Sequence, residues 1–160
     1  MNRFKYALAT CGFLGAVPFA PGTFGTLGGV LIAWALAGTE QFRLWVLVAA
    51  AVVTALGIAL GDWAERYADG KDPQFFVLDE VAGYLLTIWW FEGPSLLALF
   101  VAFCAFRFFD IQKPFPIRKV ERVGGGAGIV LDDLVAGVYG LLVVMLPARL
   151  LIDAPWSAAS

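Results

Sequence analysis

Residues Leu44–Gly61 read LWVLVAAAVVTALGIALG, eighteen positions without a charge. As an α-helix this stretch is about 27 Å long, close to the roughly 30 Å hydrocarbon core of a bilayer. On either side the chain alternates between apolar runs and polar breaks. Upstream, Thr26–Gly38 is apolar and stops at Gly38-Thr39-Glu40-Gln41. Before it, Pro18–Gly29, PFAPGTFGTLGG, reads as a breaker-rich loop entering a helix, with Thr23 or Thr26 as N-cap. Tyr6–Val17 is apolar but short, a length that suits an interfacial or partly buried helix.

Downstream, Asp62–Gln74 is polar, with a turn at Asp72-Pro73. Phe75–Phe91 is apolar except for Asp79 and Glu80, and Glu92-Gly93-Pro94 breaks it. Leu96–Phe109 follows, ended by Pro114 and Pro116, because the residue before a proline avoids the helical region. Gly124–Gly128 reads as flexible, Asp132 and Asp133 open a last apolar helix to about Ile152, and DAPWSAAS forms a loose tail.

Composition agrees with this pattern. Of 160 residues, 61% are hydrophobic and 15% charged, with mean hydropathy +0.81. Soluble domains are nearer 45–50% apolar and about 25% charged. The expectation is one all-α domain over residues 1–160. It is a compact polytopic membrane helical bundle of four to five spans plus a short N-terminal helix. Several spans are short, so tilt or local thinning is expected. The start, MNRFKYALATCGFLGAVPFA, imitates a signal peptide. Cleavage after Ala20 would set Pro18 at −3 and Pro21 at +1, a poor match to the small-x-small pattern, so the segment is expected to be kept.

Charge sets the orientation. The amino terminus, Asp62–Gln74 and Arg107–Asp133 fall on one side of such a bundle. That side collects Arg3, Lys5, Arg66, Lys71, Arg107, Lys113, Arg118, Lys119 and Arg122, whereas Arg43 and Arg149 fall near the other. The positive-inside rule makes the richer side cytoplasmic. A net charge of −2 gives no basis for a nucleic-acid partner. Without histidine there is no Ser-His-Asp triad and no His-ligated zinc. Cys11 and Cys104 lie in apolar surroundings and read as packing residues.

The acids are not scattered. Asp79-Glu80, Asp110 and Asp132-Asp133 each sit at the expected cytoplasmic end of an apolar helix. Two of these places share a pattern: VLDEVAG at Val77–Gly83 and VLDDLVAG at Val130–Gly137. The small residues one turn later let helix backbones approach, which would bring the carboxylates together. Several carboxylates in one place call for a cation, and an all-oxygen set favours Mg²⁺ or Mn²⁺ over zinc. Simpler roles also exist: acids suit a helix start, and Arg107 and Asp110 have ion-pair spacing.

Around the acids lie groups that suit phosphate. Arg107, Lys113 and Arg118 flank Asp110, and Pro21–Thr26 offers backbone N–H groups at a helix start. There is no Walker A loop and no G-x-S-x-G elbow. The mechanism is therefore expected to be metal-assisted, with an aspartyl-phosphate intermediate as the other route.

Three blocks carry a resemblance. They are Pro21-Gly22-Thr23 with Gly25; Asp72 through Asp79-Glu80 and Gly83; and Phe106-Arg107-Phe109-Asp110-Lys113-Pro114-Pro116-Ile117, continuing to Gly126, Gly128, Asp132-Asp133 and Ala136-Gly137. In them the chain resembles the phosphatidylglycerophosphatase A family. The resemblance implies an all-α protein of the bacterial inner membrane, multi-pass, with a cytoplasm-facing site. It implies Mg²⁺-dependent hydrolysis of phosphatidylglycerophosphate to phosphatidylglycerol. On that basis Asp79, Glu80 and Asp132 or Asp133 are expected to hold metal, and Asp110 to be a further ligand or the base. Lys113, Arg107 and Thr23, with Arg118 near by, are expected to bind phosphate. The competing reading is a cation-binding membrane carrier or channel subunit. A lipid phosphotransferase is less well matched, because its D-x2-D-G and A-R pattern is absent.

Overall fold

The structure is a computed structural model that describes residues 3–120 and 124–150. The described residues form seven α-helices and no strand: α1 Arg3–Ala9, α2 Pro21–Leu36, α3 Phe42–Ala68, α4 Leu78–Ile88, α5 Leu96–Gln112, α6 Ile117–Val120 and α7 Gly125–Leu150. A single 3₁₀ turn, Leu14–Ala16, lies between α1 and α2.

The central element is α4. Nine of its eleven residues are buried, including Val81, Tyr84, Leu85 and Ile88. It packs against α2, α3, α5 and α7, which surround it. Two of its buried hydroxyls are satisfied by neighbouring backbone. Tyr84 donates to the Leu99 carbonyl at 3.1 Å, and Thr87 Oγ1 lies 3.1 Å from both the Gly83 and Gly137 carbonyl oxygens. At the α4–α7 crossing, a Cβ on Gly137 would run into the Gly83 backbone, so only glycine permits this approach. The same holds where Gly61 of α3 meets Gly126 of α7. The outer helices turn apolar side chains outward. Trp34 on α2 is 61% exposed and Phe100 on α5 64%, with Val52 on α3 and Leu142 on α7 also exposed.

Successive helices reverse direction. At one end Arg43, at the start of α3, bonds to the Trp90 carbonyl at 2.7 Å and pairs with Glu92 at 3.0 Å, just past α4. At the other end Gly126, at the start of α7, donates to Asp62 Oδ1 near the end of α3 at 2.7 Å. The short connections thus fall at the first end and the charged segments at the second, as the alternation of the sequence implied.

Among the described residues two helices are long and apolar enough to cross a membrane, Phe42–Ala68 and Gly125–Leu146. Helix α2 has 16 residues and α5 has 17, while α4 at 11 is too short to cross alone.

Helix boundaries differ from the expectations in four places. The Pro18–Gly29 loop is helical from Pro21, whose missing N–H and fixed φ suit a first helical position. Ala20 is the N-cap rather than Thr23 or Thr26, and Thr26 Oγ1 bonds back to the Gly22 carbonyl. Helix α3 continues through half of the polar segment to Ala68. The glycine run is already helical from Gly125, which places Asp132 and Asp133 in the third turn of α7. Tyr6–Val17 is broken after Ala9, where Cys11, Gly12 and Phe13 take positive φ. Helix α5 ends as expected, with Lys113 left-handed at φ 42 before Pro114. Arg122, Ile152 and the tail lie outside the described residues.

Candidate active site

The charged end of the bundle holds the acids. Asp79 and Glu80 stand in the first turn of α4. Asp110 is in the last turn of α5, and Asp132 and Asp133 come from α7. Asp79, Asp132 and Asp133 are 6%, 4% and 4% exposed. Carboxylate oxygens of Asp79, Glu80 and Asp133 all lie within 4.8 Å of one another. Asp110 is close enough to Glu80 and Asp133 for their charges to interact. Glycine at 83 and 137 is what permits the convergence, because it lets α4 and α7 touch one turn beyond the acids.

Two cations face these acids from α5. Arg107 Nη1 forms an ion pair with Asp110, the i, i+3 pair expected from spacing. Lys113 Nζ lies 2.7 Å from Asp132 Oδ2. Helix α2 closes the site from a third direction, since a Cβ on Gly22 would collide with Glu80 and lie 3.0 Å from Arg107 Nη1. The Pro-Gly-Thr sequence therefore has a steric reason here: a side chain at position 22 would have to displace the Glu80 carboxylate.

The electrostatics of this cluster are unbalanced. Arg107 and Lys113 oppose five carboxylates, most of them removed from water. Desolvation and mutual repulsion both penalise the charged forms. Glu80 Oε2 is buried and accepts no hydrogen bond. Three converging hard oxygens fit a divalent oxygen-seeking cation such as Mg²⁺.

The remaining expected residues are placed less centrally. Thr23 lies half-buried in the first turn of α2, next to Gly22. The amides of Thr23 and Phe24 already bond to the Ala20 carbonyl, and Pro21 has no N–H, so this helix start offers fewer free donors than a Gly-rich loop suggests. Arg118, on α6, is exposed and its guanidinium lies 3.4 Å from the Gln112 carbonyl, away from the acids.

Two further acids belong to this end of the molecule. The Asp72 charge reaches both Asp79 and Asp132. Its place before Pro73 reads as a turn signal, which hides it, although it begins the second matched block. Asp62 is a long-range cap: it accepts from the Gly126 amide, sixty-four positions away, and so anchors the start of α7 on α3.

The sequence model of phosphatidylglycerophosphatase A matches residues 7–148. A Haemophilus influenzae protein named phosphatidylglycerophosphatase A is 34% identical over 131 residues, 81% of this chain and 80% of that protein. An Escherichia coli protein of the same name is 33% identical over 125 residues, 78% of this chain and 72% of its own length. A Bacteroides thetaiotaomicron protein carrying the provisional name phosphatidylinositol-3-phosphatase is 36% identical over 135 residues, covering 81% and 84% of the two chains. No solved structure matches.

Proposed function

The chain belongs to the phosphatidylglycerophosphatase A family and is a phosphatase acting on a lipid; from that premise we propose that it hydrolyses phosphatidylglycerophosphate to phosphatidylglycerol and inorganic phosphate, with Mg²⁺ held by its acidic cluster. The observation that carries the metal reading is the convergence of Asp79, Glu80 and Asp133, in a site where Glu80 also keeps a buried oxygen without a hydrogen-bond donor. Those three residues, with Asp132 beside them, would hold the ion. Bound there, a divalent cation supplies Lewis-acid stabilisation of the phosphoryl oxygens.

The other groups act on the substrate. Arg107 and Lys113 donate to phosphate oxygens and offset the charge that develops on them. Asp110 fixes Arg107 and lies near Asp133, a position from which a carboxylate takes the proton of an attacking water. Thr23 and the start of α2 border the phosphate, and Arg118 draws anionic lipid from outside.

The bundle fits a bilayer with α2, α3, α5 and α7 facing lipid and α4 enclosed, which accounts for four crossings and a fifth buried helix. Helices of 16 and 17 residues, about 24–26 Å, need slight thinning of the membrane. Lys5, Arg66, Lys71, Lys113, Arg118 and Lys119 crowd the acidic end, so that end faces the cytoplasm of the bacterial inner membrane. The relatives give the carrier alternative no support, and Arg107 and Lys113 stand where a cation path would avoid positive charge.

The test is phosphate release from phosphatidylglycerophosphate in detergent micelles. Release is expected with Mg²⁺ and lost in excess chelator. Full activity with chelator would overturn the metal assignment. The Bacteroides relative's name raises a second substrate, phosphatidylinositol 3-phosphate. A higher kcat/KM on that lipid would replace the first.

A further inference from the structure

The acidic cluster opens on one side into a cavity of about 270 Å³, lined by Glu65, Lys71, Asp72, Gly124, Gly128 and Asp132. Asp132 belongs both to this cavity and to the cluster. The cavity is small beside the roughly 300–1,000 Å³ of pockets that enclose whole drug-sized ligands. It has room for a short polar group and not for acyl chains. A second cavity, at Tyr6, Pro21 and Pro73, is lined largely by apolar and proline side chains. A third, at Arg43 and Glu92, lies at the opposite end of the bundle. Neither is lined by an acid of the cluster.

We infer that the Glu65–Lys71–Asp72 cavity is the subsite for the hydroxyl-bearing head group of the substrate, the part that remains on the lipid after the terminal phosphate leaves. This rests on the lipid-phosphatase reading above. A phosphate held at Lys113, whose Nζ is 2.7 Å from Asp132 Oδ2, sits against the wall of this cavity, so the carbon chain bonded to it has the cavity within reach. Among the described residues the charged lining of the cavity is Glu65, Lys71, Asp72 and Asp132, the last paired with Lys113, and Ile129 adds an apolar wall; the carboxylates still outnumber the cations and disfavour a second anionic group. Neutral hydroxyls suit it: carboxylates accept from them and Lys71 donates to them. Gly124 and Gly128 contribute no side chains that would fill the space. Sites that bond a substrate hydroxyl reject analogues lacking it far more strongly than apolar pockets reject a missing methylene. Glu65 is thereby a specificity-determining residue.

The experiment compares two soluble inhibitors of the Mg²⁺-loaded enzyme turning over phosphatidylglycerophosphate. Glycerol 3-phosphate carries both the phosphate and the hydroxyls; orthophosphate carries only the first. In the wild-type protein glycerol 3-phosphate is expected to have an inhibition constant at least about tenfold lower. In Glu65→Gln that advantage should shrink toward unity while orthophosphate inhibits as before. Equal constants in the wild type, or an undiminished advantage in Glu65→Gln, would overturn the inference. If the variant fails to fold, the wild-type comparison decides alone. A wild-type protein inert toward phosphatidylglycerophosphate would instead remove the substrate reading on which this rests.

Discussion

At the scale of the residue, the acids separate into those whose partners are local and those whose partners are not. Arg107 and Asp110 are three apart on one helix, and their ion pair follows from spacing. Lys113 and Asp132 are nineteen apart on different elements, and no local rule joins them. Glu80 is the most informative single side chain, because a buried carboxylate oxygen without a donor is rare and calls for a proton, a water or an ion beside it. Asp79→Asn or Asp132→Asn should each lower kcat for phosphate release at least about 100-fold. Circular dichroism should show an unchanged helical content. Near-normal kcat in both variants would reduce Asp79 to a helix-dipole partner and Asp132 to an ion-pair partner of Lys113. All five acids were legible as candidates from their places near helix ends. Asp72 was not, because its role depends on where a turn points.

At the scale of the element, close helix contact decides whether the acids meet. Helix α7 reaches α4 at Gly83 and Gly137, and α3 at Gly61 and Gly126. A larger side chain at the first crossing must push α4 and α7 apart, and with them Asp79 and Asp133. Gly137→Leu is therefore expected to destabilise the bundle by about 1–3 kcal/mol and to lower activity as well. Thermal unfolding in detergent measures the first effect and phosphate release the second. Gly38→Ala is the control: open space surrounds that position, so its melting temperature should match the wild type. The paired VLDEVAG and VLDDLVAG stretches already suggested this crossing. The helix boundaries were less legible. Gly-rich stretches at Pro21 and Gly125 look like loops by propensity, yet both are helical, because their glycines meet other backbone or a carboxylate and packing outweighs their entropic cost.

At the scale of the whole molecule, five helices of alternating direction set every active-site candidate at one end and the Arg43–Glu92 pair at the other. The excess of basic residues at the acidic end predicts its side of the membrane. A Lys119→Cys variant, made in a chain whose Cys11 and Cys104 are replaced by alanine, should react with an impermeant thiol reagent only in inside-out vesicles. Labelling of intact spheroplasts would reverse the orientation.

The sequence by itself determined that the chain is helical and apolar, that the charged segments share one end, and that the acids belong to that end. These depend on composition and on short-range periodicity, which a single strand of residues carries. Only the tertiary structure decided that α4 is the enclosed axis and that Asp79, Glu80 and Asp133 converge. It likewise decided that Asp62 caps α7 and that a cavity with charged residues in its wall opens beside Asp132. Those outcomes arise from contacts between segments distant in sequence, from fifteen positions for Tyr84 and Leu99 to sixty-four for Asp62 and Gly126, where backbone approach at glycine, rather than local propensity, sets which side chains come within reach of one another.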